Sequence, residues 1–232
     1  MFMLDIETAK TAGLRYYLYD HKDIGFNLPM VGGADPTGVD PDREVGGKKR
    51  SSFALCYLGK LPMGGAVVVD GYLKPCGIIE AKDAMLQAQT VFPNWRTTGV
   101  ENVGVGKVFL QYLRTDPRVR VQDSNLRGVG GGGIKSKEDR FLTETHPWLE
   151  NAVIRISDAP TPYNMALRRL CDNFFDLDKH DEAWDAGDAL YHAAKLIPEV
   201  LRQPVHENLN PVAMNQRGGL WHPLSGGRPN GR

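Results

Sequence analysis

Neither sign of charge predominates in the 232-residue chain, where 28 Lys and Arg offset 28 Asp and Glu. That balance excludes a uniformly basic nucleic-acid binder, though not a local basic patch. Cysteine is scarce. Cys56, Cys76 and Cys171 are odd in number, widely spaced and in no CxxC pair. Structural zinc is disfavoured, and a reducing, cytoplasmic setting is the expectation. No apolar run approaches the roughly 18 residues of a membrane span. Met1 to Lys10 carries acids and no apolar stretch, so no secretion signal is expected. A G-x-x-x-x-G-K-[ST] phosphate loop is missing too. Gly106-Lys107 has Glu101 and Val108 where Gly and Ser or Thr are needed, and Gly47-Lys48 has Asp42 and Lys49. ATP hydrolysis is therefore not expected. The lone G-x-G of 103–107 lacks a third glycine, because position 109 is Phe, so it makes no dinucleotide fingerprint.

What remains is an ordinary globular composition, 41% hydrophobic and 24% charged, with a surplus of turn formers. Gly and Pro number 26 and 15, which implies many sharp turns. The length suits one large domain. Residues 1–27 read as an N-terminal arm with an aromatic cluster at Tyr16, Tyr17 and Tyr19. Residues 28–202 read as the folded body, and the Pro- and Gly-rich 203–232 as a tail.

Within the body, 30–35 reads as a short strand ending in an acid. Two β-branched runs, 51–59 and 65–73, flank a turn at 60–64 and predict a hairpin. A helical period covers 77–92, a strand 98–101, a second helix 105–113 and a strand 118–122. The glycine-rich 127–134 excludes regular structure. A helix over 135–145 and a strand over 152–156 follow. Thr161-Pro162 starts another helix, with Thr as cap and Pro in the first turn. A final helix spans 181–197, with Ala183, Gly187, Leu190, Ala194 and Ile197 as the stripe that packs on the sheet. Three strands, helix, strand, helix, strand and further helices make an α/β fold. It has a mixed sheet of five or more strands, an antiparallel hairpin and flanking helices, in the ribonuclease H-like order.

The chemistry-bearing residues are acids at element ends. Asp35 closes the first strand and Glu101 the fourth, so neighbouring strands would set them side by side. Asp181, Asp185 and Asp188 stand at i, i+4 and i+7 and share one face of the last helix. Clustered carboxylates repel unless a cation sits among them, and hard divalent ions suit oxygen ligands. Two Mg²⁺ or Mn²⁺ ions would suit phosphodiester hydrolysis. Residues 114–140 hold seven basic residues against four acids, and Lys48, Lys49 and Arg50 lie in the loop after the first strand. Together they suggest a rim for DNA phosphates. The three cysteines, Trp95, Trp148 and Trp184 read as packing residues.

The segments GGADP (32–36), TGVENVGVGK (98–107), KSKEDR (135–140) and HDEAWDAGDAL (180–190) carry a family likeness. The chain resembles, over about 28–200, the C-terminal nuclease domain of tailed-bacteriophage terminase large subunits. The resemblance implies a ribonuclease H-like, metal-dependent endonuclease that cuts concatemeric viral DNA during packaging, here without its ATPase motor. It implies Asp35, Glu101, Asp181 and Asp185 as the catalytic, metal-ligating acids, with Asp185 matching the last acid of the final motif. His180 and Glu182 would support the site, Glu182 standing where the family has a second Asp. Lys137 and Arg140 match the family's Lys-x-x-Arg pair, and with Lys48, Lys49, Arg50, Arg127 and Lys135 they form the expected DNA-binding set. Double-stranded DNA, the terminase ATPase domain, the small terminase subunit and the portal protein are the implied partners. The implied location is the cytoplasm of an infected bacterial host. Two other readings remain open on these residues: another ribonuclease H-like nuclease such as a Holliday-junction resolvase, and a catalytically silent DNA- or portal-binding module.

Overall fold

A computed structural model describes residues 13–25, 27–36, 52–102, 104–124 and 136–197. In chain order the elements are β1 (Leu18–Tyr19), β2 (Met30–Asp35), β3 (Phe53–Lys60), β4 (Ala66–Lys74), α1 (Ile78–Val91), β5 (Trp95–Val100) and α2 (Val105–Leu113). There follow β6 (Val121–Asp123), α3 (Lys137–Arg140), α4 (His146–Glu150), β7 (Ile154–Ser157), α5 (Pro162–Asp172) and α6 (Glu182–Ala194). The strands form one mixed sheet in the order β1-β7-β4-β3-β2-β5-β6. Strand β3 runs against β2 and β4, and every other pairing is parallel. Five adjacent strands, β4-β3-β2-β5-β6, give the ribonuclease H-like arrangement, and β7 and β1 extend it beyond β4.

Local chemistry explains the element ends. The β3–β4 turn is closed by Leu61 N–H donating to the Gly65 carbonyl at 3.0 Å. Gly64 and Gly65 have φ of 98° and 74°, a left-handed conformation that glycine adopts without a Cβ clash. Thr161 caps α5 by accepting from the Asn164 N–H, and Pro162 fills the first turn. The strand expected over 118–122 starts later, at Val121, because Asp116 organises a turn ahead of it. The Asp116 carbonyl accepts from Val119 N–H and its carboxylate from Arg118 N–H. The helix expected over 135–145 is also divided. Four residues of α3 lead into a π-helical turn, Phe141–Thr145, before α4. Of the arm, Leu18 and Tyr19 join the sheet beside β7, and Tyr16 is buried.

Both faces of the sheet are covered, so β2 is buried along its whole length. Alternation sorts the residues. Val31, Ala54, Cys56 and Leu58 pack with α5 and α6, while Ala34, Phe53, Leu55 and Val100 pack with Met85 of α1 and Phe109, Leu110 and Leu113 of α2. Cys56, Cys76 and Cys171 are buried and free, and Trp95 and Trp184 are buried in the core, as their packing role requires. The expected stripe of α6 needs correction. Gly187 turns toward Leu170 of α5 and toward Phe141, whereas the backbone at Ala189 and Ala193 lies over Gly33 of β2. The helix's own small residues lie all round it, so it is buried on both sides rather than along one stripe. Tyr163 of α5 fixes it, its hydroxyl donating to the Ala186 carbonyl at 2.7 Å.

Candidate active site

Two glycine-x-acid steps build the site. Gly33 and Asp35 of β2 share a face by the two-residue strand period, as do Gly99 of β5 and Glu101 just beyond it. Both glycines admit α6: a Cβ at Gly33 would stand 2.8 Å from Ala193 Cα, and one at Gly99 3.0 Å from the His192 carbonyl oxygen. Two residues along a strand advance about 6.6 Å. Four residues back along a helix retreat about 6 Å. The acid two residues past each glycine therefore reaches the first turns of α6, where Asp185 and Asp188 stand. Register pairs Ala34 with Val100, and Val100 with Asp123, so the ends of β2, β5 and β6 form one edge. Asn102 secures that edge by donating to the Asp123 carboxylate at 2.7 Å.

At this edge a lysine ammonium sits among three carboxylates. Lys137 Nζ lies 3.3 Å from Asp35 Oδ2, 2.9 Å from Asp185 Oδ1 and 3.1 Å from Asp188 Oδ2. Arg140 Nε donates to Asp188 Oδ1 at 3.1 Å, and its guanidinium lies over the Tyr191 ring. Asp185 Oδ2 also accepts from Ser52 N–H at 3.0 Å, and the Ser52 hydroxyl donates to Glu182. Asp35, Asp185 and Asp188 are buried, and Glu101 is half-buried.

The electrostatics follow from this crowding. Burial raises the Glu101 pKa, and the nearby Asp35 charge raises it further. Burial likewise raises that of Asp185 despite the opposing Lys137 charge. Burial works against the Lys137 ammonium, but Asp35, Asp188 and Asp185 outweigh it and hold the group well above the usual lysine range. Formally, four carboxylates face two cations, Lys137 and Arg140. Behind them a neutral pair is buried. His192 Nδ1 lies 2.8 Å from Ser124 Oγ, and burial pushes the imidazole down to about 4.

The expected residues separate into groups. Asp35 and Asp185 are brought together, and Glu101 lies within electrostatic reach of them. Asp181 is placed differently: it is the N-cap of α6, accepting from Ala183 N–H at 2.9 Å, and it binds Arg169 at 2.6 Å. Glu182 stands 3.6 Å from Arg169, and His180 is exposed. Lys137 and Arg140 point into the acids instead of forming an outer rim. Arg118 pairs with Asp116, and Arg120 donates to the Trp95 carbonyl at the other end of β5. Lys48, Lys49, Arg50, Arg127 and Lys135, with the glycine run 130–133, lie outside the described residues. Sequence reasoning left Asp188 out of the ligand set and missed Ser52 and Ser124. Its signals were the i, i+3 spacing of Asp185 and Asp188 and the paired glycine-x-acid steps.

A second cluster stands farther along the sheet. His21 N–H donates to Asp158 Oδ1 at 2.8 Å, His21 Nδ1 lies 2.7 Å from the same oxygen, and Asp20 Oδ1 is 3.9 Å from that nitrogen. These contacts tie the chain after β1 to the chain after β7. No helix among the described residues is long and apolar enough to cross a membrane. Comparison of the chain with protein-family profiles and with curated protein sequences gives no match.

Proposed function

We propose that this chain is a divalent-metal-dependent DNA endonuclease, the nuclease part of a phage terminase large subunit acting on concatemeric viral DNA. One observation carries the reading. Four acids from three separated segments meet at the carboxyl edge of a ribonuclease H-like sheet, with a cation seated at 2.9–3.3 Å from three of them. The donor set is oxygen only, which suits Mg²⁺ or Mn²⁺. Three of the acids are buried together with more negative than positive formal charge, which supports a divalent ion as the further counter-charge. Asp35, Asp185 and Asp188 would hold it, with Glu101 beside them. When bound, such ions lower the pKa of a bound water and stabilise a leaving oxygen in phosphodiester cleavage.

The chain's own groups do the positioning. Ser52 N–H and Lys137 fix both oxygens of Asp185. Arg140 fixes one oxygen of Asp188. The neutral His192–Ser124 pair joins α6 to the end of β6 without adding charge near the acids. Asp181, as cap and Arg169 partner, holds the start of α6 instead of joining the ligand set.

The test is cleavage of supercoiled plasmid in Mn²⁺. Asp35→Asn and Asp188→Asn should each reduce cleavage by about a hundredfold or more with unchanged circular dichroism. EDTA should stop the reaction, and DNA affinity should rise on adding metal as the acids are neutralised. Full activity in both folded variants would overturn the assignment. Preference for four-way junctions over linear duplex would favour the resolvase reading, and metal-independent DNA binding without cutting would favour a silent module.

A further inference from the structure

The Lys137 side chain is 35% exposed, whereas those of Asp35, Asp185 and Asp188 are 3%, 7% and 8% exposed. The lysine is thus the more exposed partner of three buried carboxylates. Arg140 is held differently. It carries two contacts to Asp188 and lies over the Tyr191 ring, so it is braced on two sides. Lys137 has a flexible four-carbon stem and a compact charge. It stands at the focus of oxygens from β2 and α6, a place that a hard cation would share.

We propose that Lys137 is a displaceable resident cation, filling a seat among Asp35, Asp185 and Asp188 that a divalent ion takes over, and so setting the metal concentration at which the site loads. This inference rests on the metal-site reading above. Loading exchanges one ammonium for one divalent ion and releases the lysine toward solvent, with no covalent change. The lysine keeps the metal-free acids together and, by the same contacts, opposes metal entry. Its charge, and not its shape, is what competes.

Calorimetric titration of Mn²⁺ into the full chain tests this. Lys137→Gln should bind Mn²⁺ about tenfold more tightly or better, because a neutral amide no longer competes, while Lys137→Arg should stay within about threefold of wild type. The wild-type protein gives a second readout that does not depend on a variant's folding. Reductive methylation, followed by peptide mass spectrometry, should label Lys137 severalfold faster when Mn²⁺ is present. Wild-type binding of Mn²⁺ with equal or weaker affinity in folded Lys137→Gln would overturn the resident-cation role and leave the metal site standing. So would unchanged Lys137 labelling. Failure of both wild type and Lys137→Gln to take up Mn²⁺ would overturn the metal site and the inference together.

Discussion

Gly33→Ala perturbs the point on which the geometry of the acids turns. The new methyl would stand 2.8 Å from Ala193 Cα and closer still to the Ala189 carbonyl oxygen and the Ala193 nitrogen. Ordinary contact begins near 3.4 Å, and the obstacles are backbone atoms of a buried helix. Rotamer change cannot relieve the clash, so α6 must lift from β2 by about 1 Å in a close-packed interior. Overpacking costs about 1–3 kcal/mol, and a backbone obstacle puts this case at about 3. For a domain of this size that is a fall of about 6–12 °C in melting temperature. Asp185 and Asp188 ride on the displaced helix while Asp35 stays on the strand. Mn²⁺ affinity should therefore drop by about tenfold, beyond the loss of stability. Scanning calorimetry and Mn²⁺ titration read the two effects. Gly25→Ala, at an exposed glycine with nothing within 4 Å of the added methyl, is the control and should leave both unchanged. A Gly33→Ala protein with wild-type melting and wild-type metal affinity would refute the idea that the helix–strand approach sets the site.

Two further outcomes follow from the same structure. Asp181→Asn should keep the cap and hold Mn²⁺ affinity within about twofold, while Asp181→Ala should cost about 1 kcal/mol in urea denaturation. A tenfold affinity loss in Asp181→Asn would restore Asp181 to the ligand set. His192 is held down to about 4 by burial, against an ordinary value near 6.5. The folded state then binds fewer protons than the unfolded state between these values, so stability present above pH 6.5 is lost as pH falls toward 4. The loss by pH 4.5 is about 2–3 kcal/mol. His192→Gln should be the less stable protein at pH 7.5, and its deficit should shrink by that amount at pH 4.5. Urea midpoints of the two proteins that run parallel across this range would exclude the linkage.

Much of the frame was legible because its signals are local. The hairpin, the helix at 105–113 and the Thr161 cap each depend on a few adjacent residues, and the structure places them within one or two positions. Asp35 and Glu101 were legible because strand ends set their neighbours by topology. The last helix was harder. Its acids repeat on one face, so spacing allows either the pair 181 and 185 or the pair 185 and 188. The choice depends on where α6 starts and on which residues Gly33 admits, and both are tertiary facts. Lys137 and Arg140 looked like surface charge for a similar reason. A sequence displays the sign of a side chain but not the direction in which a short helix presents it.

The π-helical turn at Phe141–Thr145 has a bearing on how such a site can vary. One residue advances an α-helix by about 100°. A wide turn therefore behaves as a phase shifter, setting Lys137 and Arg140 at an angle to α4 that an uninterrupted helix would not give. The carboxylates belong to the sheet and α6, and their counter-charges belong to a segment whose rotation is chosen separately. Removing a single residue from the turn would swing the cations away from the acids with every charged side chain still encoded. In this architecture a change in helical phase, with no substitution at any charged position, would turn a partly neutralised cluster into an open one.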